Sequence, residues 1–322
     1  MKPRVWMERN LAPEALAPLE TIAEVIQNGD MADLPGSEAI VIGSLINADG
    51  DFMDNIGPSL KVIARPGIGI DNVDLQAATA RGILVVHTPD APTEATAEHA
   101  IALLLATAKR VGAGLMMLRG VDITRDQLLG VEVRGKTLGV IGFGRIGSRV
   151  VQICAQGLGM RVLAFDPYLR DRSRAAGLGV ELMDTMNSLL AEADFVSLHT
   201  ALTPETRHMI GEAELRQMKP GACLINVSRG PVVDEAALIR LLQEGHLAGA
   251  GLDVFDPEPP LSDNPLLSMP NVVATPHTAA FTVEGLQAMS RGIVEQILQV
   301  LRGEQPTFLV NSEAWPGRVG KD

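Results

Sequence analysis

Three side chains late in the sequence have the chemistry to move a proton and to hold an anion. They are Arg229, Glu258 and His277, and each follows a predicted strand. Histidine exchanges a proton near neutral pH, a carboxylate beside it orients the ring, and the guanidinium fork of arginine matches a carboxylate. Hydride transfer between a nicotinamide and a hydroxy acid needs these three groups. Their spacing in the sequence does not show that they meet in space. The alternative is that Arg229 and Glu258 are surface charges and that His277 is an ordinary histidine without a catalytic role.

A glycine-rich segment, Gly142 to Gly147, has the spacing of a phosphate-binding turn. An apolar run precedes it, a helical pattern follows, and a second apolar run ends in Asp166, 19 residues after Gly147. Glycines let the backbone approach a pyrophosphate, the helix start supplies amide donors, and the acid can accept from a ribose hydroxyl. The alternative is a merely structural glycine turn. The predicted dinucleotide contacts are Gly142, Gly144, Arg145, Ile146, Gly147 and Asp166.

The choice between NAD and NADP depends on the same acid. Its negative charge would repel the 2′-phosphate of NADP, so Asp166 favours NAD. Three arginines, Arg170, Arg172 and Arg174, follow closely in the sequence and leave that choice open.

Short apolar runs alternate with helical patterns from residue 137 onward, which is typical of a doubly wound parallel sheet. Ligands of such sheets bind beyond the carboxyl ends of the strands, so the polar residues there are the first candidates for a site. The predicted strands are Thr137–Gly142, Arg161–Asp166, Asp194–His199, Ala222–Val227, Gly249–Val254 and Asn271–Thr275.

Residues 1–90 repeat this alternation on a smaller scale, and the helix Ala95–Lys109 is expected to link two domains. A helix at Thr282–Leu301 is expected to lead back to the first domain. We therefore predict two Rossmann-like α/β domains, with the site in the cleft between them. A doubly wound dinucleotide domain, residues 96–287, is inserted into a smaller flavodoxin-like substrate domain, residues 1–95 and 288–322. The strands predicted in the smaller domain are Arg4–Met7, Ala39–Ile42, Lys61–Ala64 and Leu84–Val86.

Composition limits the classes of function. The 322 residues carry a formal net charge of −12, which argues against nucleic acid or an anionic membrane as the main partner. Aromatic residues make up 3%, too few for nucleic-acid stacking platforms. Cys154 and Cys223 lie in apolar contexts, which favours buried thiols over a disulfide framework. Without a leader pattern, a membrane span or metal-ligand spacing, we expect a cytoplasmic protein that holds no metal.

Several longer segments carry a family resemblance: Gly135–Gly144, Leu198–Thr206, Met218–Gly221, Asn226–Gly230, Leu252–Phe255 and Thr275–His277. With them, the chain resembles the D-isomer-specific 2-hydroxyacid dehydrogenase family from about residue 4 to residue 315. By that resemblance, Arg229 binds and polarises the substrate, Glu258 supports the base, and His277 is the acid/base. Asp253 would face the nicotinamide carboxamide.

The resemblance also implies further contacts to substrate and cofactor. The segment Arg65–Asp74 matches the family's substrate loop, where backbone amides around Ile68 and Gly69 receive a substrate carboxylate. The plain alternatives are a strand-to-helix turn in this loop and a helix cap at Thr96. The other implied substrate contacts are Ser44 and Gly67, and the other implied cofactor contacts are Thr96, Thr200, Thr206 and Val227.

Within the family, the chain looks most like phosphoglycerate dehydrogenases, through Asp71–Asp74 and Val86–Asp90. Those enzymes commonly place an arginine before a serine to meet the phosphate, whereas this chain has Gly43-Ser44. The sequence also ends at Asp322, where we expect no room for a regulatory domain. We therefore favour glyoxylate or hydroxypyruvate as substrate, with 3-phosphoglycerate dehydrogenase as the alternative. Glu258 argues against formate dehydrogenase, and the lysine-free substrate loop argues against phosphite dehydrogenase.

A function of another class stays open. Corepressors that resemble this family keep the fold, bind NADH as a signal and retain the arginine, glutamate and histidine. The apolar helix and the arm that follows it, Val111–Arg134, predict a homodimer built largely on the dinucleotide domain. His99, His208 and His246 are expected to be structural, whereas His87 follows a strand near the expected cleft.

Overall fold

The computed structural model describes residues 2–169 and 172–315. In chain order, the strands are β1 (Arg4–Met7), β2 (Glu24–Gln27), β3 (Ala39–Val41), β4 (Val62–Arg65), β5 (Leu84–His87), β6 (Thr137–Ile141), β7 (Arg161–Phe165), β8 (Glu181–Leu182), β9 (Phe195–Leu198), β10 (Cys223–Asn226), β11 (Gly249–Leu252) and β12 (Val272–Ala274). The helices are α1 (Pro13–Ile22), α2 (Gly50–Ile56), α3 (Leu75–Ala80), α4 (Thr93–Ala108), α5 (Val111–Leu118), α6 (Arg145–Gln156), α7 (Ser173–Ala176), α8 (Met186–Glu192), α9 (Glu212–Gln217), α10 (Glu235–Gln243) and α11 (Val283–Leu301). Short 3₁₀ turns lie at Met31–Asp33, Asp126–Leu128, Gly230–Val232, Pro265–Leu267 and Ser312–Ala314.

The chain divides into two compact units. The terminal unit comprises Met1–Pro92 and Ala280–Asp322, and the central unit comprises Thr93–Ala279. The divisions predicted from the sequence, at 95/96 and 287/288, would cut α4 and α11, and the structure corrects both. A helix held by continuous backbone hydrogen bonds belongs to one unit as a whole, so the breaks fall in the irregular segments before each helix.

The terminal unit is a parallel sheet with helices on both faces. Over its described residues, five strands lie in the order β2-β1-β3-β4-β5, and each pair is parallel. Alternate residues of a strand point to opposite faces, so Val5 and Met7 pack with α1 and α11, whereas Trp6 packs with α2. Both faces are therefore buried, as parallel sheets require.

The central unit is a larger sheet of the same kind. Its described residues form seven parallel strands in the order β12-β11-β10-β9-β6-β7-β8. All five residues of β6 are buried, because this strand lies inside the sheet with helices on both faces. Leu104 and Val151 of α4 and α6 cover one face, and Leu189 and Leu241 of α8 and α10 cover the other. The order is that of doubly wound nucleotide-binding sheets, with a further strand at one edge, and confirms the predicted fold class.

Two strands were missed in the sequence, β2 and β8, and both are edge strands. Each begins with a glutamate, and β8 has two residues, so neither presents the apolar run of an interior strand. No single helix in the described part of the chain is both long and apolar enough to cross a membrane. The pair α4 and α5, bent by 65°, meets that test together by length and composition only.

Candidate active site

The polar residues predicted for chemistry in the central unit gather at one edge of its sheet. Strands β6, β9, β10, β11 and β12 are neighbours and parallel, so their carboxyl ends lie side by side. The glycine-rich segment follows β6, Arg229 follows β10, Asp253 follows β11, and His277 follows β12. This edge is where ligands of doubly wound sheets bind.

His277 and Glu258 form the pair expected of an acid/base and its supporting carboxylate. The His277 Nδ1–H donates to Glu258 Oε1. Both side chains keep access to solvent, with 29% of the imidazole and 23% of the carboxylate exposed. Because Nδ1 holds the proton shared with the carboxylate, Nε2 is the ring nitrogen that can exchange a proton with a substrate.

The backbone of His277 adopts the left-handed conformation, with φ at 54°. This conformation is uncommon for a residue other than glycine and needs support from its surroundings. The His277 amide donates to the carbonyl oxygen of Asp253 at 2.8 Å. The next two amides, of Thr278 and Ala279, each donate to the Asp253 carboxylate at 2.8 Å. The loop that carries the acid/base is therefore attached to the end of β11.

Asp253 is completely buried. Burial by itself raises the pKa of Asp253, but hydrogen bonds from His99, Thr275 and the two loop amides outweigh it and hold the pKa below its ordinary value. The resemblance placed this carboxylate against the nicotinamide, whereas in the structure it holds the His277 loop. A cofactor contact of Asp253 stays a prediction.

His99 is a residue whose place in the site the sequence did not reveal. It lies on α4, and its Nε2 is 2.9 Å from Thr275 Oγ1 and 3.5 Å from Asp253 Oδ1. Thr275 Oγ1 in turn donates to Asp253 Oδ1 at 2.6 Å. The hydroxyl therefore accepts from His99 while it donates to the carboxylate. The one available signal was a histidine within a helix otherwise rich in buried apolar residues.

Arg229 lies in a loop that its neighbours hold in place. The Asn226 side-chain amide donates to Arg229 O at 2.9 Å, and its oxygen accepts from the Ser228 amide. The guanidinium donates through Nη1 to Ser228 O at 2.7 Å. The next residue, Gly230, packs so closely that a Cβ would lie 1.8 Å from Phe255 O. Glycine at 230 thus lets the Arg229 loop approach the loop that leads to Glu258.

The glycine-rich segment has the backbone features of a phosphate-binding turn. Gly142 has φ at 92°, and a Cβ there would lie 2.5 Å from His199 O. A Cβ on Gly147 would lie 2.0 Å from Gly142 O, so this glycine allows close packing of α6 against β6. Gly144, the residue before α6, has no neighbour within 4 Å of a Cβ position and provides no side-chain cap. The start of α6 therefore has no side-chain cap from Gly144, and a helix start of this kind is a position where an anion can bind.

Asp166 stabilises this turn directly. Its Oδ2 accepts from the Phe143 amide at 2.9 Å, and its Oδ1 accepts from the Tyr168 amide at 2.9 Å. Each carboxylate oxygen keeps a further lone pair for a ribose hydroxyl. Of the nearby arginines, Arg172 lies 3.7 Å from Asp184. Arg170 and the side chain of Arg174 lie outside the described residues.

Two buried polar atoms beside the turn fit a bound dinucleotide. Within the described residues, His199 Nδ1 and Thr200 Oγ1 are shielded from solvent and have no hydrogen-bond partner. Burial lowers the pKa of His199 to about 3, so the ring is neutral and can donate or accept at its free nitrogen. Unpaired buried groups are costly, and a ligand's polar atoms would satisfy them.

The remaining predicted cofactor residues differ in their surroundings. Thr206 Oγ1 donates to Ala201 O at 2.7 Å, so this hydroxyl stabilises the turn after β9. Thr96 lies inside the first turn of α4, which begins at Thr93, and is therefore not the cap of that helix. Val227 is buried directly after β10. Their contacts to a cofactor stay predictions, as do those of the exposed Arg145 and the half-buried Ile146.

The predicted substrate loop belongs to the terminal unit and follows β4. Gly67 has φ at 114°, and its amide donates to Thr88 Oγ1 at 2.7 Å. His87 Nδ1 lies 3.0 Å from the Ile68 carbonyl oxygen. In a trans peptide, the carbonyl and the following N–H point in opposite directions, so His87 directs the Gly69 N–H away from itself. Among the described residues, neither the Ile68 nor the Gly69 amide has a protein acceptor.

The histidine, cysteine and acidic side chains of the described residues bear on metal and thiol chemistry. Over residues 2–169 and 172–315, no group of three or more histidine, cysteine or acidic side chains is placed to hold a metal ion. Cys154 and Cys223 are buried free thiols. Burial raises their pKa, to about 12 for Cys154 and about 11 for Cys223, so neither is a reactive thiolate near neutral pH.

Comparison with known proteins bears on this arrangement. Residues 101–279 match the family described as D-isomer specific 2-hydroxyacid dehydrogenase, NAD binding domain. A D-3-phosphoglycerate dehydrogenase of Methanocaldococcus jannaschii is 41% identical over 97% of this chain. A glyoxylate reductase of Korarchaeum cryptofilum is 42% identical over 97% of both chains. The crystal structure of the TT0316 protein from Thermus thermophilus is 40% identical, with a TM-score of 0.86 over 95% of this chain and 99% of that one.

The two curated relatives differ in length. The chain spans 60% of the phosphoglycerate dehydrogenase from Methanocaldococcus jannaschii but 97% of the glyoxylate reductase from Korarchaeum cryptofilum. The similarity to the phosphoglycerate dehydrogenase therefore covers part of that protein, and the two relatives carry names of different activities.

The contacts of Asp166 generate a prediction about cofactor choice. The Asp166→Asn substitution keeps a side-chain oxygen for the Phe143 amide but removes the negative charge that repels a 2′-phosphate. We expect the ratio of Kd for NADPH to Kd for NADH, measured by fluorescence titration, to fall by about tenfold, which corresponds to about 1.4 kcal/mol. The control Asp263→Asn removes an exposed carboxylate elsewhere in the same unit and should leave the ratio unchanged. An equal ratio in wild type and Asp166→Asn would show that this acid does not meet the ribose.

Proposed function

The chain belongs to the D-isomer specific 2-hydroxyacid dehydrogenase family, and we propose that it is an NAD-dependent oxidoreductase acting on a small D-2-hydroxy acid or its 2-keto acid. The observation that carries this proposal is the hydrogen bond between His277 and Glu258. That pair lies at the same sheet edge as Arg229 and the glycine-rich turn. An acid/base, an anion-binding arginine and a dinucleotide turn are the parts that this reaction requires.

His277 would move the proton. In keto-acid reduction, Nε2 of the protonated ring donates its proton to the ketone oxygen while a hydride reaches the carbonyl carbon, so a hydroxy acid forms. Glu258 keeps the ring oriented through Nδ1 and stabilises its positive charge before transfer. In the oxidation direction, the neutral ring takes the proton back from the hydroxyl.

Arg229 would bind the substrate carboxylate and polarise the carbonyl. Its guanidinium is oriented by the hydrogen bond to Ser228 O, and planar recognition of a carboxylate suits arginine. The positive charge also stabilises the negative charge that develops on the ketone oxygen.

The glycine-rich turn and Asp166 would hold the dinucleotide. The start of α6, which has no side-chain cap, suits its pyrophosphate, and Asp166 suits the ribose hydroxyls. His199 Nδ1 and Thr200 Oγ1 provide two further polar atoms at the adjacent strand end. When bound, reduced NAD supplies the hydride.

The substrate loop of the terminal unit would itself bind an anion such as a carboxylate. The amides of Ile68 and Gly69 have no acceptor among the described residues, and His87 orients the peptide between them. Successive free amides in an irregular loop form a concave site for an anion. Ser44 and Gly67 belong to the same proposed group of substrate contacts.

Among small keto acids, we favour glyoxylate and hydroxypyruvate over 3-phosphohydroxypyruvate. Gly43 offers no side chain to meet a phosphate, and a lost charge-assisted hydrogen bond costs about 1.5–3 kcal/mol. One of the two curated relatives above is a glyoxylate reductase of matching length. The other is a phosphoglycerate dehydrogenase, which is the alternative function.

Steady-state reduction of the three keto acids with NADH tests the proposal. We expect wild-type protein to reduce glyoxylate and hydroxypyruvate with higher kcat/KM than 3-phosphohydroxypyruvate. The His277→Ala substitution should lower kcat by about 10²- to 10⁴-fold, because it removes the general acid, while NADH binding measured by fluorescence stays near normal. The His208→Asn substitution is the control, since it replaces an exposed histidine that also has positive φ with a residue that tolerates that conformation.

Each contrary result points to a different function. A tenfold or larger preference for 3-phosphohydroxypyruvate would support the phosphoglycerate dehydrogenase alternative. Tight NADH binding without turnover of any keto acid would leave a protein that senses NADH. A His277→Ala variant with kcat within about threefold of wild type would remove His277 from the mechanism.

We also propose that the protein is a homodimer built on the central unit. Large apolar side chains are exposed along α5 and the segment after it, which is unusual for a surface left in water. The most exposed are Leu118 at 86% and Leu129 at 76%. The others are Val111, Leu115, Met117, Val121 and Val131.

Light scattering at micromolar concentration tests the dimer. We expect a mass near twice the 34.2 kDa of one chain. The Leu118→Glu substitution should shift the mass toward the monomer, because it places a charge in the apolar surface that a partner would cover. Leu267→Glu, at an exposed leucine outside this surface, is the control and should leave the mass unchanged. A wild-type mass of 34.2 kDa would contradict the proposal.

A further inference from the structure

The strand order of the terminal unit reverses at β1. Strand β1 has β2 on one side and β3 on the other. After β1 the chain continues to β2 at one edge of the sheet, whereas after β3 it continues to β4 toward the other edge. In open parallel sheets, this reversal opens a crevice outside the carboxyl ends, and ligands bind there. Glu8 and Arg9 follow β1, and Gly43 and Ser44 follow the end of β3.

Glu8 and Arg9 fill the space that a side chain at position 43 would take. The Gly43 amide donates to Glu8 Oε2. A Cβ on residue 43 would lie 2.6 Å from Glu8 Oε2 and 2.9 Å from Arg9 Nη2. Arg9 Nη2 also lies 3.9 Å from Glu8 Oε1, with 49% of the arginine side chain exposed and 19% of the glutamate side chain. An acid and a base therefore occupy the crevice together.

This pair is connected to the substrate loop through Asn72. The Asn72 side-chain amide donates to Gly43 O at 2.9 Å and to Ile46 O at 2.6 Å. Arg65 Nε donates to Asn72 Oδ1 at 2.9 Å, and its Nη1 donates to Pro66 O at 3.0 Å. The buried Arg65 thus supports the two loops. With neighbouring strands about 4.8 Å apart, the ends of β1 and β4 are separated by roughly 10 Å, across β3.

We propose that Glu8 and Arg9 form a subsite that reads the group on C3 of the keto acid, accepting a neutral hydroxyl and rejecting a phosphate. This inference rests on the proposed function and assigns its substrate class. A hydroxyl can donate to the Glu8 carboxylate and accept from the Arg9 guanidinium at once. A phosphate dianion brings acceptors only, and it meets the like charge of Glu8 at close range.

Two further features of the subsite favour a hydroxyl over a phosphate on C3. The Gly43 amide, which could otherwise donate to a phosphate oxygen, already donates to Glu8. The positive charge of Arg9 is balanced by the same carboxylate, so the pair carries no net charge. Glyoxylate has no C3 and does not reach the pair, which makes it an internal standard for every variant.

Kinetics on matched variants tests the subsite. Glu8→Gln keeps an oxygen for the Gly43 amide but removes the charge, and we expect kcat/KM for 3-phosphohydroxypyruvate to rise about tenfold. Arg9→Gln removes the cation, and we expect kcat/KM for hydroxypyruvate to fall about tenfold. Both variants should keep kcat/KM for glyoxylate within twofold. The controls Glu14→Gln and Arg302→Gln change exposed charges elsewhere in the terminal unit and should alter none of the three values. Equal changes on all three acids, or none, would overturn the subsite.

A binding measurement separates this inference from the proposed function. Calorimetry with NAD-loaded protein compares D-glycerate with 3-phospho-D-glycerate and needs no turnover. We expect tighter binding of D-glycerate in wild type and loss of that preference in Glu8→Gln. If this holds while no keto acid is reduced, the subsite stands and the proposed function falls. If glyoxylate is reduced but wild type binds neither acid, or Glu8→Gln keeps the preference, the subsite falls and the proposed function stands.

Discussion

The buried carboxylate of Asp253 is the constraint on which the site depends. A charge without access to water is costly unless hydrogen bonds replace its hydration. Here the Thr275 hydroxyl and the amides of Thr278 and Ala279 supply that replacement, and His99 approaches from α4. These bonds are strong enough to hold the pKa of Asp253 below its ordinary value despite burial. The carboxylate is thus charged near neutral pH, and the loop must stay closed around it.

The position of the acid/base follows from this constraint. His277 lies between Thr275 and Thr278, and its own amide donates to Asp253 O, so its left-handed backbone is fixed on both sides. Its side chain can then meet Glu258. The Arg229 loop reaches the neighbourhood of Glu258 because Gly230 packs directly on Phe255 O. Each functional side chain is therefore placed by backbone contacts between loops at adjacent strand ends.

Much of the fold and of the site could be predicted from the sequence, for identifiable reasons. Interior strands such as β6 are continuous apolar runs, and the glycine spacing from Gly142 to Gly147 has few alternatives once strand and helix flank it. The edge strand β2 was missed because burial on one side leaves a weak pattern. The divisions between units differ from the predicted ones by three and by eight residues, because a hydropathy pattern shows helices and strands but not the contacts that group them into units.

Long-range contacts were outside the reach of sequence reasoning. His99 and Thr275 are 176 residues apart, and nothing local marks the helix position that faces the loop. Glu8 and Arg9 come directly after a short strand, and in the sequence they look like ordinary surface charges. The proposed role of these two residues depends on their contact with Gly43, 35 residues away from Glu8. It also depends on the strand order that makes β1 and β3 neighbours. The missing side chain at position 43 was visible in the sequence, but the groups that replace it were not.

The Asp253→Asn variant tests the central claim most directly, with kcat for glyoxylate reduction, NADH affinity and the thermal midpoint measured together. An asparagine has one oxygen for the Thr275 hydroxyl and the amides of Thr278 and Ala279, so the His277 loop should shift while the glycine-rich turn stays intact. A misplacement of about 1 Å can cost about 10²-fold in rate, and we predict a loss of kcat of that size with NADH affinity within threefold of wild type. Asp256→Asn, in the neighbouring loop, should keep kcat within threefold. A folded Asp253→Asn variant with wild-type kcat would contradict the account.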